Sequence, residues 1–146
     1  MASSFTLKLP HLRKRGPLCR VILQPSAATI KALKAKGRKI PLIKVLALLD
    51  TGSNSTAISH RVIRKLKLVP RGMVEVYTSN KVSEIRKEYD VSLAFDARTN
   101  IPLVRVLEAS LKGWSIDCLI GRDVLRYAVL TFDGPRRQVK LKFKVK

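Results

Sequence analysis

One stretch of the chain has residue types that could do chemistry. An apolar run, residues 45–49, is followed directly by Asp50 and then by Thr51-Gly52-Ser53. Such a run predicts a buried strand, and a carboxylate at its end lies where desolvation can tune its protonation. The nearby glycine allows a sharp turn or the close approach of another backbone. Two interpretations stay open at this point: a catalytic carboxylate, or an aspartate that only binds the amides of its turn.

A second stretch, later in the chain, has a related pattern. Residues 116–120 predict a mostly apolar strand that leads into Gly121, and Arg122-Asp123 then precedes a short helix. Asp123 suits the first turn of that helix, because a carboxylate there faces the positive end of the helix dipole. Both stretches therefore predict a strand, a glycine turn and a short helix, which suggests a small pseudo-symmetric β-barrel.

The elements that must position these residues are mostly strands, because short apolar runs rich in β-branched residues dominate the sequence. Short helices are predicted after Ser26 and Ser59, whose hydroxyls can cap them. A turn at residues 79–81 predicts a hairpin that could act as a mobile lid. The last strand has one apolar face, which either folds onto the core or pairs with another chain. The predicted strands cover residues 18–24, 40–49, 73–78, 85–95, 101–107, 116–120, 128–133 and 138–145.

Composition limits the class of protein. At 146 residues and 46% apolar content, the chain predicts one globular domain with a real core. Lys and Arg number 30 against 10 Asp and Glu, and no acidic residue precedes Asp50 or follows Asp133. The formal net charge of +20 indicates attraction to nucleic acid, acidic proteins or anionic membranes, or a generally basic proteome. Residues 1–15 predict a loose basic arm, with a short strand at 5–9 left open, and residues 16–146 predict the folded domain.

The cysteines and the start of the chain bear on location. Cys19 and Cys118 are far apart and lack metal-ligand spacing, so they predict neither a disulfide framework nor a zinc site. A reducing, cytoplasmic setting is the simpler expectation. Residues 1–20 contain no continuous apolar segment, which argues against a secretory signal and a membrane span, while an organellar transit peptide stays open.

Together, the two stretches resemble the retropepsin-like aspartic proteases. Residues Leu49-Asp50-Thr51-Gly52-Ser53 match their Asp-Thr/Ser-Gly-Ala/Ser active-site turn. Residues Leu119-Ile120-Gly121-Arg122 match the downstream apolar-apolar-Gly-Arg motif that packs under that turn. The resemblance covers roughly residues 16–144 and looks like the small single-domain prokaryotic members. It implies a mainly β fold: a retropepsin-like closed β-barrel with short helices, and one lobe per chain.

The resemblance implies a homodimeric aspartic endopeptidase. A lone carboxylate cannot easily serve as acid and base at once, whereas two carboxylates that share one proton can. This chain contains one Asp-Thr-Gly, so the second copy must come from a second chain, with a two-fold axis between the two Asp50 side chains. The substrate implied is an extended peptide, and we expect no cofactor and no metal.

Roles for the neighbouring residues follow from the same resemblance. Thr51 is expected to hydrogen-bond across the dimer axis, and Gly52 to leave space and a carbonyl for substrate. Ser53 is expected to place a hydroxyl near the carboxylates. The second motif, Ile120-Gly121-Arg122, is expected to brace the turn, while the hairpin tip, Thr78-Ser79-Asn80, is expected to form the flap over the peptide.

The sequence departs from the retroviral pattern at two places. Asn54 stands where retroviral members carry an aspartate that pairs with the arginine of the motif. Arg122 therefore either makes a weaker hydrogen bond to Asn54 or pairs elsewhere. The flap segment, residues 78–88, contains no glycine, whereas retroviral flap tips are glycine-rich.

A second hypothesis rests on charge. A dimer would carry a formal charge of +40, which is +20 from each chain. Such a protein could bind nucleic acid, or serve as a scaffold, while retaining the protease fold. Basic residues could also recruit an acidic partner to an active protease, so the two hypotheses are compatible.

Overall fold

Ten strands and four helices make up residues 3–144, the part of the chain that this computed structural model describes. The strands are β1 (Ser3–Lys8), β2 (Leu18–Pro25), β3 (Ile43–Leu49), β4 (Ala57–Ser59), β5 (Gly72–Tyr77), β6 (Ser83–Ala94), β7 (Asn100–Ala109), β8 (Cys118–Ile120), β9 (Ala128–Asp133) and β10 (Gln138–Phe143). The helices are α1 (Leu12–Arg15), α2 (Ala27–Ala35), α3 (His60–Lys65) and α4 (Arg122–Leu125).

The strands form two sheets. Seven of them follow the order β2-β3-β8-β4-β7-β6-β5, and β2 also pairs with β6. The other sheet has the order β1-β10-β9. In the larger sheet β3 and β8 run parallel, with Leu49 opposite Ile120, so both strands end at the same place. This pairing brings the Asp50 turn and the second motif together.

An aliphatic core fills the space between the elements. Side chains of β2 and β3 alternate between buried and more exposed positions, as the period-two pattern predicts. Val21, Leu23, Ile58, Val106 and Ile120 are fully buried or nearly so. The core therefore rests on leucine, valine and isoleucine, as the low aromatic content indicates.

The N-terminal segment differs from the loose arm expected from its charge. β1 pairs with β10 along its whole length, and Leu12 in α1 is only 3% exposed. The ring of Phe5 lies 5.8 Å from that of Phe95 and 6.1 Å from that of Phe143. The alternating apolar residues of this segment outweigh its basic composition, because their burial stabilises the sheet. The domain division at residue 16 stays a prediction.

The terminal strand folds onto its own chain. β10 lies between β1 and β9, and Val139, Leu141 and Phe143 on its apolar face are buried. Of the two alternatives for this strand, the structure selects packing on the core. The predicted end of the strand at residue 145 lies outside the described residues.

Other boundaries follow local chemistry. The helices after Ser26 and Ser59 are confirmed, and each serine hydroxyl accepts the backbone N–H three residues on, from Thr29 and Val62 respectively. β3 begins at Ile43 rather than residue 40, since Pro41 has no N–H to donate to a neighbouring strand. The short strand β4 was not predicted. No helix among residues 3–144 is both long enough and apolar enough to span a bilayer.

Candidate active site

Asp50 lies directly after β3, at the mouth of the turn. Its backbone N–H donates to the carbonyl of Ile120 at 2.8 Å, which ties the turn to the end of β8. Its side chain is half-buried, and its Oδ1 accepts the N–H of Gly52 at 3.0 Å. Among residues 3–144 no other donor hydrogen-bonds this carboxylate. Its remaining lone pairs are therefore free to bind water or a second carboxyl group.

Arg122 holds the turn from the second motif. Its backbone N–H donates to the carbonyl of Ser53 at 2.8 Å, and its Nη1 donates to the carbonyl of Thr51 at 2.7 Å. Asn54 takes no part in this contact. Of the two alternatives for Arg122, the structure thus shows that it pairs elsewhere. A charged donor on a backbone carbonyl fixes the turn without needing an acidic partner.

Ser53 uses its hydroxyl within the turn. Its Oγ donates to the carbonyl of Ser55 at 2.8 Å and accepts the Ser55 N–H at 3.4 Å. Its backbone N–H donates to the Asp50 carbonyl at 3.3 Å. The hydroxyl makes no hydrogen bond to the Asp50 carboxylate, and its expected place near the two carboxylates stays a prediction. Its role here is to shape the backbone that follows the aspartate.

Gly121 packs against the backbone of the Asp50 loop. A Cβ atom at this position would lie 2.6 Å from the carbonyl carbon of Ser55 and 3.0 Å from the carbonyl oxygen of Ser53. Real Cβ atoms do not approach backbone atoms so closely, so only glycine fits without a shift. The glycine of the second motif is therefore required by the close approach of the two loops.

Thr56 and Asp123 form a lock that the sequence analysis missed. The Thr56 N–H donates to Asp123 Oδ2 at 3.0 Å, and its hydroxyl donates to Oδ1 at 2.7 Å. The same hydroxyl accepts the Gly121 N–H at 3.1 Å, and the Val124 N–H donates to Oδ1 at 2.9 Å. Thr56 is fully buried. The helix dipole accounted for Asp123 without any partner, and no local sequence pattern indicated that Thr56 binds it.

A third carboxylate, Asp117, connects the start of β8 to α3. It accepts the Ser59 hydroxyl at 2.8 Å and two guanidinium donors of Arg61 at 3.1 and 2.6 Å. Hydrogen bonding by Arg61 is the main cause that lowers the pKa of Asp117, and Ser59 contributes in the same direction. Partial desolvation opposes them. Because Ser59 also caps α3, this cluster fixes the segment between the Asp50 loop and the hairpin.

The two cysteines are inert. Both are buried free thiols. Burial raises the pKa of Cys19 to about 12, and burial likewise raises that of Cys118. A thiol with a raised pKa is protonated at neutral pH and does not act as a nucleophile. The site therefore offers carboxylate chemistry rather than cysteine chemistry.

The predicted hairpin is formed by β5 and β6, which pair from Gly72–Glu88 to Tyr77–Ser83. At its tip the Thr78 N–H and hydroxyl both donate to the Val82 carbonyl at 3.1 Å. Within the predicted turn at residues 79–81, Lys81 has a positive φ, at 59°, although asparagine adopts that conformation more readily. The turn thus closes without glycine. Ser79 and Asn80 are exposed at the tip.

Comparisons with known proteins place this architecture. A retropepsin-like aspartic protease from Rickettsia conorii superposes with a TM-score of 0.59 at 12% identity, over 98% of this chain and 92% of that one. The chain has the retropepsin-like fold. The retroviral protease-like domain of Ddi1 from Leishmania major is also similar, with a TM-score of 0.43 at 16% identity, over 70% of this chain and 86% of that one. No protein-family model and no curated protein matches the sequence.

Proposed function

We propose that the protein is a homodimeric aspartic endopeptidase with a dyad of Asp50 and the Asp50 of a second copy. The observation that carries this proposal is the state of the Asp50 carboxylate, which accepts one hydrogen bond from the part of the chain that the structure describes. A rigid turn holds it, through the Ile120 carbonyl and the Arg122 guanidinium. The retropepsin-like fold supports the same assignment.

The dyad works because two adjacent carboxylates share one proton and titrate as a unit. The ionised Asp50 takes a proton from a bound water as the water oxygen attacks the scissile carbonyl carbon. The protonated partner gives its proton to the carbonyl oxygen, so a neutral tetrahedral diol forms. Its collapse breaks the C–N bond, returns one proton to the leaving nitrogen and restores the shared proton.

Thr51, Gly52 and the hairpin complete this proposal. Thr51 is exposed beside Asp50, so its side chain is available for a hydrogen bond across the dimer axis. Gly52 is exposed as well, and a Cβ there would lie 3.2 Å from Asp50 Oδ1, so glycine keeps the carboxylate open. Thr78, Ser79 and Asn80 form the tip that closes over an extended peptide, which binds by strand-like pairing.

The free edge of β9 supplies the dimer surface in this proposal. Among the described residues, β9 pairs with β10 alone, so its other edge offers unpaired N–H and C=O groups. Tyr127, Val129 and Phe132 lie 48%, 48% and 56% exposed on or beside this strand. β9 follows closely after α4, which begins with Arg122 at the Asp50 turn. In the proposed dimer, pairing of the two β9 edges covers these side chains.

The barrel and the location belong to the same proposal. Because β2 pairs with both β3 and β6, the hydrogen-bonded strands return to their start, which we interpret as the closed barrel of one protease lobe.

Two buried free thiols fit a reducing compartment, and we propose a cytoplasmic location.

An Asp50→Asn variant tests the proposal. We expect cleavage of a peptide library to be lost while the dimer stays folded, because the amide cannot accept the proton of the water. Asp96→Asn is the matched control, since Asp96 is an exposed turn aspartate that accepts the Arg98 N–H at 2.8 Å and lies outside the Asp50 turn and β9. Cleavage by the Asp96 variant should equal that of the wild type. Full activity of Asp50→Asn would refute the catalytic role.

The dimer surface has its own test. Val129→Glu places a charge on the proposed interface. We expect this variant to sediment as a monomer rather than a dimer and to lose peptide cleavage. Val69→Glu places the same charge at another exposed valine and should leave the dimer intact. A Val129→Glu protein that stays dimeric would rule out the β9 edge as the interface.

The alternative function, nucleic-acid binding on a protease-like fold, rests on the net charge of +20. Phosphate contacts give binding that falls steeply as the salt concentration rises. Filter binding of an oligonucleotide over a salt series measures it. An absence of binding at low salt removes this alternative, whereas tight, salt-sensitive binding without any peptide cleavage would favour it.

A further inference from the structure

A large groove lies away from the Asp50 turn. It has a volume of about 1380 Å³ and is lined by α2, residues 38–42, residues 65–71 and part of β7. No residue of the Asp50 turn or of the second motif lines it. Leu42, Val69 and Leu103 in its wall are 43%, 81% and 56% exposed. Apolar side chains so exposed on a concave surface are typical of a binding site.

The groove carries a net positive charge. Five cationic side chains and one carboxylate line it, and the carboxylate, Asp90, already pairs with Arg71 at 2.8 Å and Arg105 at 3.4 Å. Within residues 3–144 the other four cations of the groove make no ion pair. They are Arg38, Lys39, Lys65 and Lys67. The groove thus joins an apolar wall to a cationic rim without a balancing anion.

Lys67 has a backbone conformation that glycine adopts more readily than lysine. It has a φ of 53° just after α3, where the Lys67 N–H donates to Arg64 and the Leu68 N–H donates to Ile63. This is the glycine-favouring C-terminal arrangement known as the Schellman motif. The chain therefore carries a lysine on the groove despite an unfavourable backbone conformation.

We propose that this groove binds an acidic peptide segment of another protein, through its carboxylates and its apolar side chains. The carboxylates meet the cationic rim, and the apolar side chains cover Leu42, Val69 and Leu103. Single-stranded nucleic acid fits less well, because bases stack on aromatic side chains and none of the residues that line the groove is aromatic. The groove adds a recognition site for acidic proteins to the proposed protease, and it is independent of the dyad.

Fluorescence anisotropy with a labelled peptide of about ten residues that alternates Glu and Leu tests this proposal, since such a peptide spans about 33 Å when extended. We expect binding that weakens as salt rises. Peptides that alternate Lys and Leu, or Glu and Ser, should bind at least about tenfold more weakly, because each lacks one half of the recognition. A single-stranded oligonucleotide that displaces the acidic peptide from the groove would instead favour nucleic acid and overturn the proposal.

Two pairs of lysine variants distinguish binding in the groove from non-specific attraction by the basic surface. Lys65→Gln with Lys67→Gly should weaken peptide binding about tenfold, since two rim charges are lost. The glycine should also raise the melting temperature, so unfolding cannot explain the lost binding. Lys140→Gln with Lys142→Gln removes the same charge from the exposed side of β10 and should leave binding unchanged. Equal losses in both pairs of variants would overturn the proposal.

The dyad provides an independent control. Asp50→Asn should bind the Glu-Leu peptide as the wild type does, because Asp50 does not line the groove. Failure of peptide binding therefore leaves the proposed protease activity standing, and loss of that activity leaves the groove standing. Val69→Ser with Leu103→Ser should weaken the Glu-Leu peptide but not the Glu-Ser peptide. Unchanged affinity for the Glu-Leu peptide would contradict the apolar half of the proposal.

Discussion

Asp50 and Asp123 follow the ends of two paired strands, and their surroundings differ. Both side chains are half-buried. Counting donors within residues 3–144, the Asp123 carboxylate accepts three hydrogen bonds, two from Thr56 and one from the Val124 N–H, whereas the Asp50 carboxylate accepts one, from the Gly52 N–H. The contrast therefore lies in the number of donors rather than in exposure.

The difference in donors indicates a structural role for Asp123 and a chemical role for Asp50. The oxygens of Asp123 are occupied, so the residue joins the Asp50 loop to α4 and cannot readily bind a further ligand. The oxygens of Asp50 keep free lone pairs inside a turn that Ile120, Gly121 and Arg122 hold in place. A fixed backbone with an unoccupied carboxylate is the preorganised state that acid–base catalysis needs.

Among variants of the residues that hold the Asp50 turn in place, Gly121→Ala is expected to have the largest effect. The added Cβ meets the Ser55 carbonyl carbon at 2.6 Å, so the two loops must separate. We expect a loss of about 3 kcal/mol in the free energy of unfolding, measured with urea, and a loss of cleavage. Gly134→Ala is the matched control, because its Cβ meets only the Phe132 ring at 3.7 Å and should change stability little. Equal stability of the two variants would contradict the close packing.

A smaller effect is expected from Thr56→Val. The change keeps the shape of the side chain, but it leaves the Gly121 N–H without its acceptor and removes one of the two hydrogen bonds that Asp123 Oδ1 accepts. We expect about 2 kcal/mol less stability in urea unfolding, since buried unsatisfied groups are costly. Thr6→Val changes an exposed threonine of β1 and should be nearly neutral. If both variants unfold at the same urea concentration, the lock contributes nothing.

The smallest effect is expected from Asp117→Asn, which weakens the bonds to Arg61 and Ser59. The lowered pKa of Asp117 means that its contribution is present above its ordinary pKa and is lost as the pH falls through the lowered value. Because Arg61 is 59% exposed, we expect only about 1 kcal/mol. The stability difference from the wild type, measured by urea unfolding, should be larger near pH 7 than near pH 3. A stability difference that grows toward acid pH would contradict the conclusion that ionised Asp117 stabilises the fold.

Much of this fold could be predicted from local pattern. Alternation predicted the β5–β6 hairpin and β10, and the hydroxyls of Ser26 and Ser59 marked two helix starts. β1 also alternates, at Phe5 and Leu7, but its basic composition was given more weight. In that case the signal for a paired strand was present in the sequence.

The site was only partly predictable. Asp50 and the Gly-Arg pair stand in recognisable motifs, and the parallel pairing of β3 with β8 brings them together. Thr56 was not predictable, because its partner Asp123 is 67 residues away and neither residue has a local pattern that names the other. The positive φ of Lys81 was also missed, since the closure of the turn, rather than intrinsic preference, sets that conformation.

The most direct test of the central claim is a subunit-mixing experiment, since the claim is that each active site needs one Asp50 from each chain. Wild-type and Asp50→Asn proteins are mixed in equal amounts, exchanged, and assayed for peptide cleavage at constant total concentration. If both carboxylates are required, only dimers of two wild-type chains cleave, and about one quarter of the wild-type activity remains. Retention of about three quarters would show that a single Asp50 per dimer suffices, and retention of about one half would show that each chain acts on its own; either result would contradict the shared dyad.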